Sequence, residues 1–319
     1  MQIHQGFQQL PKFSKSVITV GTFDGVHAAH KKILQQLATL ANKINGESVL
    51  VTFHPHPKHV LQSSQSNLQL LSTVEEKIEL LKDCGIQHLV IVPFTFDFAK
   101  ISATDYIEQF LVNNFHPKKI VVGFNHHFGN NREGNLTMLR NAGLKHDFEV
   151  IEMEKQMEDE MTISSTAVRK FLLEGNILEA NKLLGREYLM MGKVVEGKKL
   201  GRTIGFPTAN IEVLNEHKLI PADGVYVVEV LIGSELYKGM MNIGNRPTVN
   251  GTNKTIEVNL FDFDKNTYGE MVKIFFHQRI RDEKKFNGLD ELKAQLNLDK
   301  ATANSFFENT KATNERIEN

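Results

Sequence analysis

Residues 16–44 read SVITVGTFDGVHAAHKKILQQLATLANKI, and this stretch decides the fold. Ser16 to Val20 is short and rich in Val and Ile, as suits a strand buried on both faces. Gly21 and Gly25 then bracket a turn, because glycine lets the backbone bend sharply and come close to a ligand. Beyond it Ile33, Leu37, Leu40, Ala41 and Ile44 recur at helical spacing. Strand, glycine turn and helix together make one unit of a parallel α/β sheet.

The pattern repeats. Strand-like runs occupy 48–53, 88–94, 118–124 and 148–153. Ile78, Leu81 and Ile86 mark one intervening helix, and Ile107, Phe110 and Leu111 mark another over 104–115. The expectation is a Rossmann-like, doubly wound parallel sheet with right-handed crossovers and a ligand at the carboxyl ends of the strands. Residues 162–185 read as two short closing helices. From about Glu187 the text changes to short strands punctuated by Gly and Asn: 188–197, 207–213, 224–232, 237–244, 254–261 and 270–280. That spacing predicts an antiparallel barrel or sandwich. A helix is predicted over 289–298, and the polar tail after Phe307 has little to bury. The change of pattern divides the chain into domains 1–185 and 186–319.

Bulk composition narrows the function classes. Hydrophobic residues are 41%, charged residues 24% and the net charge is −1, so no global field draws the chain to nucleic acid or membrane. A local basic site for phosphates stays open. Cys84 is the single cysteine, which excludes an intrachain disulfide and fits a reducing cytoplasm. The opening MQIHQGFQQLPKF lacks the apolar centre of a signal peptide, and runs such as HLVIVPF are too short to cross a bilayer.

His27 and His30 lie three apart where the helix begins, so they share a face. A helix start offers free N–H groups and a positive dipole end, and two imidazoles add donors. Donors fixed in advance favour the charge that builds on an α-phosphate during nucleotidyl transfer. Two other readings are compatible with the spacing: an ordinary strand–turn–helix junction, and metal chelation by His-x-x-His, for which no Cys pair is present.

A second constellation lies at GRTIGFPTANIEV, 201–213. Gly201 and Gly205 suit a loop over a ligand, and Pro207 stiffens the entry to a strand. Thr208 and Asn210 alternate onto one face, where a hydroxyl and an amide oxygen suit a hard cation such as Mg²⁺. Glu257, opposite in face to Ile256 and Val258, can accept a hydroxyl proton beside a phosphate site. A turn followed by strands with solvated polar faces explains the same residues.

Order along the chain adds a resemblance. GTFDGVHAAH (21–30), TFHPHP (52–57), VVGFNHHFGNNREGN (121–135) and ISSTAVR (163–169) resemble, in sequence and order, the bacterial FAD synthetases. The resemblance implies that Gly21, Phe23, Asp24, Gly25, His27 and His30 form the phosphate site, with Asn125 and Arg132 beside the reacting phosphate. It implies that Ser164, Ser165, Thr166 and Arg169 bind ATP phosphates, and that Thr52, Phe53, His54 and Pro57 face the flavin. One position departs from the pattern: Ala29 stands where the family has Gly. GFPTANI, DGVYVV, NIGNRPTV, IEVNLFDF and YGEMVKIFFHQRIRDEKKF resemble the riboflavin kinase domain, which implies an antiparallel β-barrel for the second half. That implies Thr208 and Asn210 as Mg²⁺ ligands, Glu257 as general base and 201–205 as a nucleotide flap. It places Arg281, Glu283 and Phe286 on the flavin side. The expected protein is a cytoplasmic, two-site enzyme with Mg²⁺ and ATP, taking riboflavin to FMN and FMN to FAD. An adenylyltransferase with another acceptor, and a flavin-responsive regulator, are the rival readings.

Overall fold

Ser16–Val20 is a strand buried along its whole length, and it sits inside a parallel sheet of six. The structure, a computed structural model, describes residues 1–317 except 62–66, 124–125, 155–156, 159–160, 198–199 and 249–250. The strands are β1 (Gln2–Gln5), β2 (Ser16–Val20), β3 (Ser48–His54), β4 (His88–Pro93), β5 (Pro117–Val122) and β6 (Glu149–Glu152). They run in the order β1-β4-β3-β2-β5-β6. The direction of winding reverses between β2 and β5, and a ligand crevice belongs at the carboxyl ends of those two strands.

Alternation explains why the strands read as unbroken apolar runs. Val49 and Val51 join the core on one face of the sheet, with Phe110 and Phe115. Leu50 points the other way, against Leu34, Leu37 and Leu81. Helices α1 (Ala28–Lys43) and α2 (Val74–Leu81) cover that second face. Sequence reading missed β1, a four-residue edge strand with mostly exposed side chains and no apolar alternation. The predicted helix over 104–115 is present but is a π-helix over Tyr106–Val112. The wider winding buries Tyr106 and Ile107, then Phe110 and Leu111. Helix α3 (Leu136–His146) precedes β6, and a short ribbon, β7 (Met157–Glu158) with β8 (Met161–Thr162), follows it.

The second half is a closed barrel, not a sandwich. Strands β9 (Tyr188–Val195), β10 (Ala209–Glu212), β11 (Gly224–Ile232), β12 (Glu235–Thr248), β13 (Gly251–Leu260) and β14 (Met271–Arg281) close in the order β10-β13-β12-β11-β14-β9. The two compact units are Met1–Ser165 and Thr166–Asn319. Of the closing helices α4 (Ser165–Leu173) and α5 (Ile177–Leu184), α5 is tied to the barrel by Asn181. Its amide donates to Phe276 O (2.8 Å) and accepts from Tyr188 N–H (2.9 Å). The last helix, α6, is longer than expected and runs from Leu289 to Ile317. Ala303 and Phe307, one helical turn apart in an otherwise polar text, anchor it on Val227, Met240 and Phe261.

Candidate active sites

The first site is built on the turn after β2. Gly21 N–H still pairs with Val51 O (3.0 Å), after which Phe23, Gly25 and Val26 take φ values of 47°, 81° and 41°. A left-handed β-branched residue is strained and persists only where its surroundings force it. Asp24 supplies much of that force. Its carboxylate, 2% exposed, accepts from Leu71 N–H (3.1 Å), Ser72 N–H (3.0 Å) and the Ser72 hydroxyl (3.4 Å). Gly25 N–H donates to Ser72 Oγ (3.0 Å), and a Cβ at Gly25 would lie 2.8 Å from the Leu71 side chain. Asp24 therefore faces the segment before α2, where its negative charge meets oriented N–H groups.

His27 caps α1. Its Nδ1 accepts the His30 N–H (3.3 Å), and the residue is 5% exposed. A ring nitrogen that accepts carries no proton, so neutral His27 keeps its proton on Nε2 and offers a donor there. The two imidazoles stack with centroids 3.6 Å apart at 12°. Burial, then His27, then Lys77 hold the His30 pKa well below the usual histidine range, so this ring is neutral. Among the described residues, His30 Nδ1 is buried without a hydrogen-bond partner.

Several predicted residues join this turn. Thr52 Oγ1 donates to Thr22 O (3.0 Å), and Ser165 Oγ donates to Asp24 O (2.9 Å). Phe53 packs against Phe94 and Phe98, with centroids 5.5 and 5.6 Å away. His54 is exposed at the end of β3, and Pro57 opens a single helical turn, Pro57–Leu61. Arg132 is exposed in a loop closed by the Phe128–Gly134 bridge. Ser164 and Arg169 are half-buried and Thr166 exposed around the start of α4. Asn125 lies outside the described residues.

One residue escaped sequence reading. Lys77 of α2 is 7% exposed, and its ammonium donates to Thr22 O (2.6 Å) and Thr52 Oγ1 (3.2 Å). The signal was available: Lys77 shares the helical face of Val74 and Leu81, where an apolar residue is expected.

The second site lies where β10 enters the barrel. Gly201 sits in a single turn, Leu200–Thr203, and accepts Phe206 N–H at its carbonyl (2.8 Å). A Cβ there would collide with Phe206 O, so the tight return requires glycine. Gly205 follows, exposed, and Pro207 O is held by Asn259 Nδ2 (2.7 Å). Thr208 Oγ1 donates to Glu257 Oε2 (3.4 Å). Asn210 of β10 and Asn242 of β12 both pair with Glu257 of β13, so the three side chains share one face. Asn242 was also missed, since only strand register reveals it. A cleft of about 660 Å³ adjoins Thr208 and is lined by Val194, Pro207, Leu260, Phe263 and Tyr268.

The predicted closing segment is anchored by contacts within the second unit. Arg281 makes a two-oxygen pair with Asp299 of α6, Nη2 to Oδ2 2.7 Å and Nε to Oδ1 2.9 Å, and Asp299 is 1% exposed. The guanidinium also lies 5.7 Å from the Phe286 ring, and Glu283 accepts Asn245 N–H (3.5 Å). Among the described residues, no group of three or more His, Cys, Asp and Glu side chains is placed to hold a metal. Oxygen donors at Thr208 and Asn210 suit Mg²⁺, which usually keeps waters and takes substrate phosphates beside one or two protein ligands.

Comparison with known proteins agrees with this division. The FAD synthetase family model matches residues 10–167, and the riboflavin kinase model matches 184–307. A bifunctional riboflavin kinase/FMN adenylyltransferase of Escherichia coli (strain K12) is 37% identical over 98% of this chain and 99% of its own length. One of Bacillus subtilis (strain 168) is 38% identical over 93% and 94%. A Streptococcus pneumoniae crystal structure titled as a macrolide-efflux protein superposes with a TM-score of 0.87 at 34% identity, over 95% of this chain and 99% of that one. With a strained histidine turn in one unit, a Thr–Asn–Glu face in the other and a full-length match in the same order, the chain belongs to the bifunctional riboflavin kinase/FMN adenylyltransferase family.

Proposed function

We propose that the chain phosphorylates riboflavin with ATP to give FMN, and transfers AMP from a second ATP to FMN to give FAD and pyrophosphate. The observation that carries this reading is that each family match falls on a unit with its own polar site, in the same order. Residues 1–185 serve as the adenylyltransferase domain and 186–319 as the kinase domain. The S. pneumoniae protein is named for efflux, whereas both family models and the curated relatives point to flavin chemistry in the two units.

At the first site an FMN phosphate oxygen attacks the α-phosphorus of ATP, and the bond to pyrophosphate breaks. His27 Nε2–H and the free N–H groups at the start of α1 donate to the phosphoryl oxygens as charge grows there. His30 stacks on His27 and fixes its ring. Ser164, Ser165, Thr166, Arg169, Asn125 and Arg132 hold the remaining phosphate oxygens, and Phe53, His54 and Pro57 border the flavin. Asp24 works from behind, holding the turn through Leu71 and Ser72.

At the second site Glu257 accepts the proton of the ribityl 5′-hydroxyl as that oxygen attacks the γ-phosphorus and ADP leaves. Thr208 orients the Glu257 carboxylate. Thr208 and Asn210 would hold Mg²⁺, which offsets phosphate charge when bound. The cleft beside Thr208 receives the nucleotide base, and the turn 201–205 covers it. Arg281 serves the flavin side indirectly, by pinning α6 through Asp299. The substrates are small molecules, and a reducing cytoplasm suits a chain whose single cysteine, Cys84, has no cysteine to bridge with.

The test is product analysis. The full chain with riboflavin, ATP and Mg²⁺ should yield FMN and then FAD, resolved chromatographically. Formation of neither would overturn the reading, and FMN without FAD would overturn its first half.

A further inference from the structure

Lys77 is a buried cation whose ammonium makes no direct contact with a carboxylate among the described residues. Its hydrogen bonds go to a carbonyl and a hydroxyl, and among the described residues it forms no ion pair. A buried charge is costly unless something of opposite sign meets it. Of the groups around it Asp24 pulls the ammonium towards its charged form, but less strongly than burial opposes that form. Asp24, on the adjoining turn, already takes three donors from the Leu71–Ser72 segment. Glu76, on the same helix, accepts Thr73 N–H in a capping box (2.9 Å). Glu75 is the other acidic residue of that first turn, and the pKa values of His30 and His54, depressed first by burial, are lowered further by the ammonium. His30 is also stacked with His27.

An ammonium has three N–H donors, and two are committed. The third belongs to a group held at Thr22 and Thr52, at the carboxyl ends of β2 and β3. That is the edge of the sheet where α/β folds bind ligands. We propose that Lys77 is an anion anchor of the first site, giving its remaining N–H to a phosphate oxygen of the nucleotide or FMN. This rests on the adenylyl-transfer reading of that site and adds a residue to it. Separately, burial pushes the ammonium down to about 8, against the raising pull of Asp24. An arriving phosphate raises it again, so binding draws in a proton.

The experiment is calorimetric titration of a non-hydrolysable ATP analogue with Mg²⁺ into the full chain, in two buffers of different ionisation enthalpy. Wild type should take up roughly half a proton more than Lys77→Met at pH 8, and far less than that at pH 7. FAD formation, as kcat/KM for ATP, should fall about 10- to 100-fold in Lys77→Met, while FMN formation reports a folded second unit. Failure of wild type to make FAD would sink the underlying reading. Wild type that makes FAD but binds nucleotide without proton uptake at any pH from 7 to 10 overturns the anchor, leaving Lys77 as a tie between Thr22 and Thr52. That arm needs no variant, so it stands even if Lys77→Met misfolds. A Lys77→Met chain with the wild-type rate and uptake overturns the anchor as well.

Discussion

Asp24→Ala tests how the phosphate turn is held. The wild-type carboxylate satisfies two buried amides, Leu71 N–H and Ser72 N–H, along with the Ser72 hydroxyl. The hydroxyl can rotate to another acceptor, but the amides are fixed by the backbone. Each buried N–H left without a partner costs about 1–3 kcal/mol, so the first unit should lose roughly 3–5 kcal/mol. Hydrogen exchange followed by mass spectrometry reads this locally: exchange at Leu71 and Ser72 should quicken by at least about a hundredfold. FAD formation should drop with it, because Phe23, Gly25 and Val26 lose the contact that keeps them in the left-handed region. Asp24→Asn should fall between, since one oxygen still accepts while its NH₂ group meets an N–H. Alanine that leaves both amides protected and changes stability by less than about 1 kcal/mol would refute this account of the turn.

Three further outcomes are expected. His30→Ala should slow FAD formation about 10²- to 10³-fold, by loosening the stacked His27 donor, and leave FMN formation unchanged; equal loss of both activities in a folded chain would contradict two separate sites. Glu257→Gln should do the reverse, lowering riboflavin phosphorylation about 10²- to 10⁴-fold while supplied FMN is still converted to FAD, and retained kinase activity would remove Glu257 as base. His126 gives a pH signature. Burial first, and repulsion from His127 second, depress it to about 4, whereas in an unfolded chain it titrates near ~6.5. The unfolded state therefore binds the proton first as pH falls. The stability present above pH ~6.5 should decline by roughly 2 kcal/mol by pH 5. Urea unfolding of wild type and His126→Phe between pH 8 and 5 checks it, and parallel curves would show that His126 is not the source.

Much of the fold was legible because its signals are local. Val and Ile runs bounded by glycine marked β2 to β6, and one apolar stripe marked α1. Misses came where the local signal is weak. The edge strand β1 has no buried face to impose alternation. The long α6 depends on Ala303 and Phe307 meeting Val227 and Met240, which are more than sixty residues earlier in the chain. The same contrast holds within the sites. The His27–His30 spacing and the Thr208–Asn210 alternation were visible in the text. The direction of the Asp24 carboxylate was not, because its partners come from Leu71 and Ser72. Arg281 reads as a flavin-side residue in the text, but its pairing with Asp299 was not legible there.

By itself the sequence determined the parallel sheet of the first half, the antiparallel strands of the second and the order of the two family domains, because periodicity, turn chemistry and helix starts are properties of neighbouring residues. Only the tertiary structure decided which polar groups are buried and what they face: Lys77 beneath Thr22, Asp24 against Ser72, and Asn242 across from Glu257. The reason is physical. Desolvation and hydrogen-bond partnership depend on what other segments bring to a point in space, and here those segments are tens of residues apart in the chain.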